Sequence, residues 1–159
     1  MAALAAQLES IWRREIPLAA ALGIEVSGYA DGELTVRAAL APNVNLHGTA
    51  FAGSLYSIAA LAGWGAAWLA LRAHALEGQI VLMRAEIQYR RPVAGSIVCK
   101  CRFDAALQAQ NLDRLRNAGS AVFHLVGTID VAGRRAVRFA GDYSVKTAAP
   151  TLASPQARR

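Results

Sequence analysis

The second half of the chain alternates between apolar and polar positions. Between residues 79 and 90, Val81, Met83, Ala85, Ile87 and Tyr89 fall on one side of an extended backbone, and Arg84, Glu86, Gln88 and Arg90 fall on the other. Residues 96–103 repeat the pattern, with Ile97, Cys99, Cys101 and Phe103 against Ser96, Lys100 and Arg102. Phe123, Leu125, Ile129 and Val131 oppose His124, Thr128 and Asp130; further on, Val137, Phe139, Tyr143 and Val145 oppose Arg138 and Asp142. A period of two puts successive side chains on opposite faces of a strand. Strands with one dry face and one wetter face predict an antiparallel sheet that covers something on one side only.

The first half supplies what is to be covered. Leu4, Leu8, Ile11 and Trp12 recur at helical spacing and predict an amphipathic helix over about residues 3–15, ended near Pro17. Residues 22–30 and 33–40 read as a hairpin around the turn dipeptide Asp31-Gly32. After a loop over 41–52, residues Phe51 to Leu71 carry no charge and predict a long helix from about Gly53 to Ala73, apolar on every side. Such a helix is enclosed by other structure. Its length also suits a bilayer, but Gly53, Ser54, Ser57, Gly63, Gly65 and many alanines make it only mildly apolar, so no membrane span is expected. Residues 105–118 read as a polar linker with a helical turn before Gly119. The expected organisation is one domain over 1–146 and a disordered tail over 147–159, where Pro150, Pro155 and terminal arginines follow Thr147.

A length of 159 residues fits one domain with a real core. The formal charge of +6 suits an anionic partner or simple solubility. The positive residues are spread out and form no recognised reader motif, so nucleic acid is not expected. Cys99 and Cys101 lie two apart on a strand, a spacing that rarely bridges and cannot by itself hold zinc. No metal is expected, and buried free thiols suit a reducing compartment. The start of the chain has no basic leader before its apolar stretch, so it makes a poor signal peptide, and a cytoplasmic location is expected.

The junction between loop and long helix, Asn43-Val44-Asn45-Leu46-His47-Gly48-Thr49-Ala50-Phe51-Ala52-Gly53-Ser54-Leu55-Tyr56-Ser57, is where chemistry is expected. A helix start leaves backbone N–H groups unpaired and carries partial positive charge, which suits a polarised carbonyl or an oxyanion. Gly53 has no Cβ and lets a ligand approach that backbone. His47 is either a base or a loop hydrogen-bonding residue, and Asn45 either orients a reactant or satisfies the turn. Ser57 is either a water ligand or a serine bonded back to its own helix. His74 reads as a solvent-facing residue at the end of the helix, favourable to its dipole, and His124 as structural. Trp64 and Trp68, one turn apart, read as core packing, with Trp64 also able to line a tunnel. Arg90-Arg91-Pro92 ends a strand; the arginine forks suit phosphate, and a solvated strand end is the alternative.

The order of elements, with an N-x-H-G-T loop at Asn45 to Thr49 opening a buried helix, resembles the hotdog-fold acyl-CoA thioesterase superfamily. The likeness runs from about Leu4 to Lys146. It is strongest to small bacterial thioesterases related to the C-terminal half of fused acetyltransferase–thioesterase proteins. The resemblance implies an α+β hotdog fold, an antiparallel β-sheet wrapped around a long central α-helix. It also implies a homodimer or dimer of dimers with acyl-CoA or acyl-carrier protein as partner, and no cofactor beyond the coenzyme A thioester as substrate.

On this likeness, Asn45, His47, Gly53 and Ser57 are the catalytic candidates. Gly53 N–H would polarise the thioester carbonyl, and Asn45 would orient the thioester or the attacking water. Phe51, Ser54, Tyr56, Trp64, Arg90 and Arg91 are the substrate-contact candidates, with the arginines on the coenzyme A phosphates and Arg114 or Arg116 assisting.

The match breaks at Ala60, where related phenylacetyl-CoA-type enzymes carry a catalytic aspartate. A base is then needed from His47, from water held by Ser57, or from a partner carboxylate such as Glu86, and the sequence leaves these open. A non-catalytic acyl-thioester or lipid-binding protein is the alternative. A hotdog dehydratase fits less well, because no acidic residue stands early in the central helix.

Overall fold

The computed structural model describes residues 2–147. Helix α1 (Ala2–Glu15) stops before Pro17, which occupies the first turn of a further short helix, α2 (Pro17–Leu22), closed by left-handed Gly23. Strands β1 (Glu25–Ala30) and β2 (Glu33–Ala38) form the hairpin around Asp31 and Gly32, both at positive φ. A 3-10 turn (Ala41–Asn43) and the loop precede helix α3 (Ala52–Ala73). Then come β3 (Gly78–Tyr89), β4 (Ile97–Arg102), helix α4 (Ala105–Ala118), β5 (Ser120–Val131) and β6 (Arg134–Thr147). Thr147, expected to begin the tail, is the last residue of β6, and the remainder of the expected tail lies outside the described residues.

The six strands form one antiparallel sheet in the order β1-β2-β4-β5-β6-β3. Its inner face supplies Leu34, Val36, Ile97, Cys99, Cys101, Phe123, Leu125, Phe139, Tyr143 and Val145, all buried. These side chains enclose α3, while α1 packs on α3 from the other side with Leu8 and Trp12. Two coverings explain a helix with no polar face. Of its most apolar 18-residue window, 72% is buried in the protein's own interior, although length and composition alone would also let it cross a bilayer.

Close approach requires glycine on both sides of α3. A Cβ on Gly65 would lie 2.6 Å from the Trp12 ring, and one on Gly63 would lie 2.1 Å from the Tyr143 hydroxyl. That hydroxyl donates to the Ala60 carbonyl at 2.8 Å, so the sheet is bonded to the helix backbone. Burial pushes the Tyr143 phenol far above its ordinary value and keeps it a donor. The Cys99 thiol, also buried, is pushed up to about 12, and neither cysteine is bridged.

Besides the added short helix α2, two elements differ from the sequence expectation. Residues 105–118 form a full helix of 14 residues rather than a linker with one turn. Asp104 caps it, its Oδ1 accepting from the N–H groups of Ala106 and Leu107 at 3.0 Å each, and left-handed Gly119 ends it. Only Leu112 and Leu115 are buried, a stripe too narrow to stand out among polar neighbours. In β3 the pairing steps from Leu82↔Tyr143 to Arg84↔Asp142, so Met83 is an extra residue. Before this bulge Ile80 and Leu82 face the core; after it Ala85 and Ile87 do. Val81 and Met83, expected on the dry face, are therefore 56% and 57% exposed.

The two sheet edges also differ. On β1 the Val26 N–H donates to the Glu9 carboxylate of α1 at 2.8 Å, and pairing is irregular at Ser27. Both features blunt an edge against further pairing. The outer edge of β3 has no paired strand among the described residues.

Gly63→Ala tests the enclosure. In an exposed helix this change gains roughly 1 kcal/mol of helix propensity. Here overpacking and loss of the Tyr143 bond should outweigh that gain and leave a net loss of about 2 kcal/mol, measured by urea unfolding. Unchanged or increased stability would contradict the packing described.

Candidate active site at the start of the central helix

Asn43 anchors the approach to α3. Its buried Nδ2 donates to Leu22 O at 2.9 Å and Ala39 O at 2.8 Å, and its carbonyl accepts from Phe51 N at 2.7 Å. One residue thus ties α2, the end of β2 and the residue preceding α3. Its own Oδ1 has no partner among the described residues.

Asn45 holds the loop itself. Its Oδ1 accepts from His47 N at 2.8 Å and Thr49 N at 3.2 Å, and its Nδ2 donates to Thr49 Oγ1 at 3.0 Å and Ala50 O at 3.4 Å. Both amide hydrogens and both oxygen lone pairs are committed within the loop. Gly48, at φ +74°, makes the turn, and Val44 bridges Ala50. His47 sits at the exposed tip beside Leu46, and its ring makes no hydrogen bond to the described residues.

The helix start carries no side-chain cap among the described residues. Phe51 is the N-cap residue in an extended conformation with no side-chain bond, and no acidic residue stands in the first turn. The first N–H groups therefore keep their donor capacity and partial positive charge. Phe51 folds over Gly53, where a Cβ would lie 2.4 Å from its ring.

A cavity of about 360 Å³ opens at this point. Asn45 and Ala50 of the loop, Ala52 and Leu55 of α3, Tyr89 at the end of β3, and Arg90, Arg91, Pro92 and Val93 after it line the cavity. The Tyr89 hydroxyl donates to Ala52 O at 2.9 Å, and Ala50 N donates to Val93 O at 2.8 Å. Arg90 Nη2 donates to Gln88 Oε1 at 2.8 Å. The lining holds two guanidiniums and no carboxylate. Burial, followed by the nearby Tyr56, raises the Tyr89 phenol.

Two other concavities are larger, about 490 Å³ between α1 and β1 and about 630 Å³ beside Arg72, Gln79 and Lys146. The first shares no lining residue with the loop or with the start of α3. The second lies at the carboxyl end of α3, whose partial negative charge repels an oxyanion.

Of the residues expected from sequence, Asn45, Arg90 and Arg91 meet around the cavity. Gly53 follows the lining residue Ala52 in the first turn. Phe51 is 55% exposed beside it, and Ser54 is buried. Ser57 is half-buried one turn further on, and Tyr56 packs its ring against Phe139 at 5.6 Å between centroids. Trp64 stands apart, its Nε1 donating to Ile80 O at 3.1 Å and tying α3 to β3. Glu86 shares an outer-face depression with Arg84, His124 and Asp142, and none of the four lines the cavity at the helix start. There Asp142 accepts from His124 at 2.7 Å and Arg84 at 2.8 Å, and the His124 bond is the main cause of its lowered pKa. His74 Nδ1 lies 2.9 Å from Ala70 O at the end of α3, the setting expected for it.

Tyr89, Leu55, Val93 and Asn43 were not expected. Tyr89 appeared only as one member of an alternating strand, and nothing local shows that its strand ends against α3. Among the described residues no group of three His, Cys, Asp or Glu side chains is placed to hold a metal ion.

The model of the family described as "Putative thioesterase (yiiD_Cterm)" matches residues 5–147. A solved structure of a protein called a putative thioesterase from Shewanella oneidensis is 36% identical, with a TM-score of 0.86 over 93% of this chain and 100% of that one. A protein of unknown function from Chlorobaculum tepidum is 26% identical, also at TM-score 0.86, over 91% of this chain and 95% of that one. A thioesterase from Haemophilus influenzae, 15% identical with a TM-score of 0.71 over 93% and 94% of the two chains, shares the fold. With a six-stranded antiparallel sheet around a central helix, this chain has the hotdog fold and belongs to the yiiD C-terminal thioesterase family.

Proposed function

We infer that the protein hydrolyses the thioester of an acyl-CoA, with acyl-carrier protein as the other possible thioester donor. One observation carries the reading: the uncapped first turn of α3 stands at a cavity whose other wall bears Arg90 and Arg91. The thioester carbonyl oxygen would accept from Gly53 N–H, and the two guanidiniums would hold the phosphates of the coenzyme.

His47 is the proposed base, with Ser57 helping to hold the water. With Ala60 presenting a methyl group and no carboxylate in the lining, the imidazole at the loop tip is the side chain best suited to take a proton near neutral pH. Water attacks the carbonyl carbon as His47 takes its proton. The tetrahedral oxyanion rests on Gly53 N–H, then expels the thiolate, which recovers the proton from His47 and leaves acid and thiol. Asn45 acts through the loop it locks, since its own amide has no bonding capacity left. Phe51, Ser54, Tyr56 and Trp64 are proposed to contact the acyl part.

We place the protein as a homodimer, or a dimer of dimers, in the cytoplasm. The blunted β1 edge, the open β3 edge and exposed Val81 and Met83 favour a second copy along β3. The unbridged cysteines suit a reducing compartment. The second reading, an acyl-thioester binder without turnover, draws on the same Ala60 and the carboxylate-free lining.

A panel of acyl-CoAs with a thiol reagent tests hydrolysis. Release of thiol is expected, with His47→Ala lowering kcat about 10²-fold or more. Calorimetric binding with no release at any chain length would favour the second reading. Replacing both arginines, Arg90→Gln and Arg91→Gln, should raise KM roughly tenfold while kcat holds, because phosphate contacts bind substrate and transition state alike. An unchanged KM would remove the arginines from the site. Met83→Lys should lower the mass seen by sedimentation to that of a single chain, and an unaltered mass would move the interface away from β3.

A further inference from the structure

We propose that Tyr89 is a positioning residue for this reaction, acting through the peptide group between Ala52 and Gly53. The proposal rests on the reading of Gly53 N–H as the oxyanion donor. The Tyr89 hydroxyl donates to Ala52 O at 2.9 Å. That oxygen and the Gly53 nitrogen belong to the same amide, whose atoms are planar and conjugated. A hydrogen bond at the oxygen draws electron density from the nitrogen, and bonds in such a chain strengthen one another. The Gly53 proton thereby becomes a better donor to a developing negative charge.

The same bond fixes direction. Tyr89 ends a strand that pairs with β6 from Gly78↔Thr147 to Tyr89↔Val137, so its hydroxyl reaches the helix from a rigid support. Rotation of the Ala52–Gly53 peptide would break the bond. Helix α3 has no side-chain cap to hold its first turn, and Tyr89 is the side chain that grips that turn from outside the helix. Its place in the cavity lining puts the grip beside the site, next to Arg90 and Arg91. A phenol is protonated through neutral pH, as a donor must be, and burial moves this one further in the same direction.

Tyr89→Phe removes the oxygen and keeps the ring. Loss of a whole oxyanion donor costs on the order of 10²-fold, and polarisation of a retained donor is a fraction of that, so kcat should fall about three- to tenfold. KM for the acyl-CoA should stay within about twofold, since the ground-state contacts remain. The melting temperature should move by no more than about 2 °C, as for removal of one exposed polar contact. A second readout needs no turnover. In the free, 15N-labelled protein the Gly53 amide proton should move upfield in Tyr89→Phe, while amides past the second turn of α3 stay in place.

Unchanged kcat with active wild type would overturn the proposal. So would a parallel loss of kcat, KM and melting temperature, which marks a purely structural tether. A Gly53 resonance that does not move would overturn it whatever the kinetics show. Should the wild-type protein release no thiol at all, the hydrolysis reading fails separately, and the Gly53 resonance still decides whether the hydroxyl acts on that amide.

Discussion

The fold of this protein is arranged around the burial, from two sides, of one apolar helix whose one charged residue, Arg72, stands in its last turn. The curved sheet meets α3 through Phe123, Leu125, Phe139 and Tyr143, and α1 meets it through Leu8 and Trp12. Contact on both sides leaves no room for side chains at Gly63 and Gly65. A helix held this closely can neither rotate nor slide without opening cavities, which interiors packed at crystal density resist. Its amino end is fixed in consequence, and a fixed amino end is what an oxyanion donor requires.

The approach to that end is built with equal economy. Asn43 Nδ2 bonds two backbone carbonyls, and the Asn45 amide bonds backbone groups and the Thr49 hydroxyl, so the loop is tied to its own frame without a ligand. The start of the helix, by contrast, spends nothing: no side chain caps it. Stability is concentrated in the scaffold and unsatisfied donors are left at the site. Binding and catalytic groups commonly sit this way, on loops and ends carried by a rigid frame.

Much of this was legible in the sequence because period and turn chemistry act locally. Alternation located β3 to β6, Asp31-Gly32 located the hairpin, and the uncharged run located α3 within a residue of its observed start. Helix α4 escaped because its stability comes from an Asp104 cap and two leucines rather than from a broad apolar face. The β3 bulge escaped because one inserted residue reverses side-chain direction without altering composition. At the site, the loop, Gly53 and the arginine pair could be picked out by residue type. Tyr89 and the saturation of Asn45 could not, since both depend on partners brought together by folding: Ala52 is 37 residues from Tyr89.

The chemistry follows from polarity more than from any one side chain. The amino end of α3 and two guanidiniums both favour negative charge, which suits the coenzyme thioester proposed as substrate, and the lining carries no carboxylate to oppose it. A crystal structure with a non-hydrolysable acyl-CoA ketone analogue tests this most directly. The expected result is the ketone oxygen about 3 Å from Gly53 N, with the phosphates beside Arg90 and Arg91. An analogue seated in the groove between α1 and β1, or one whose carbonyl points away from the start of α3, would contradict it.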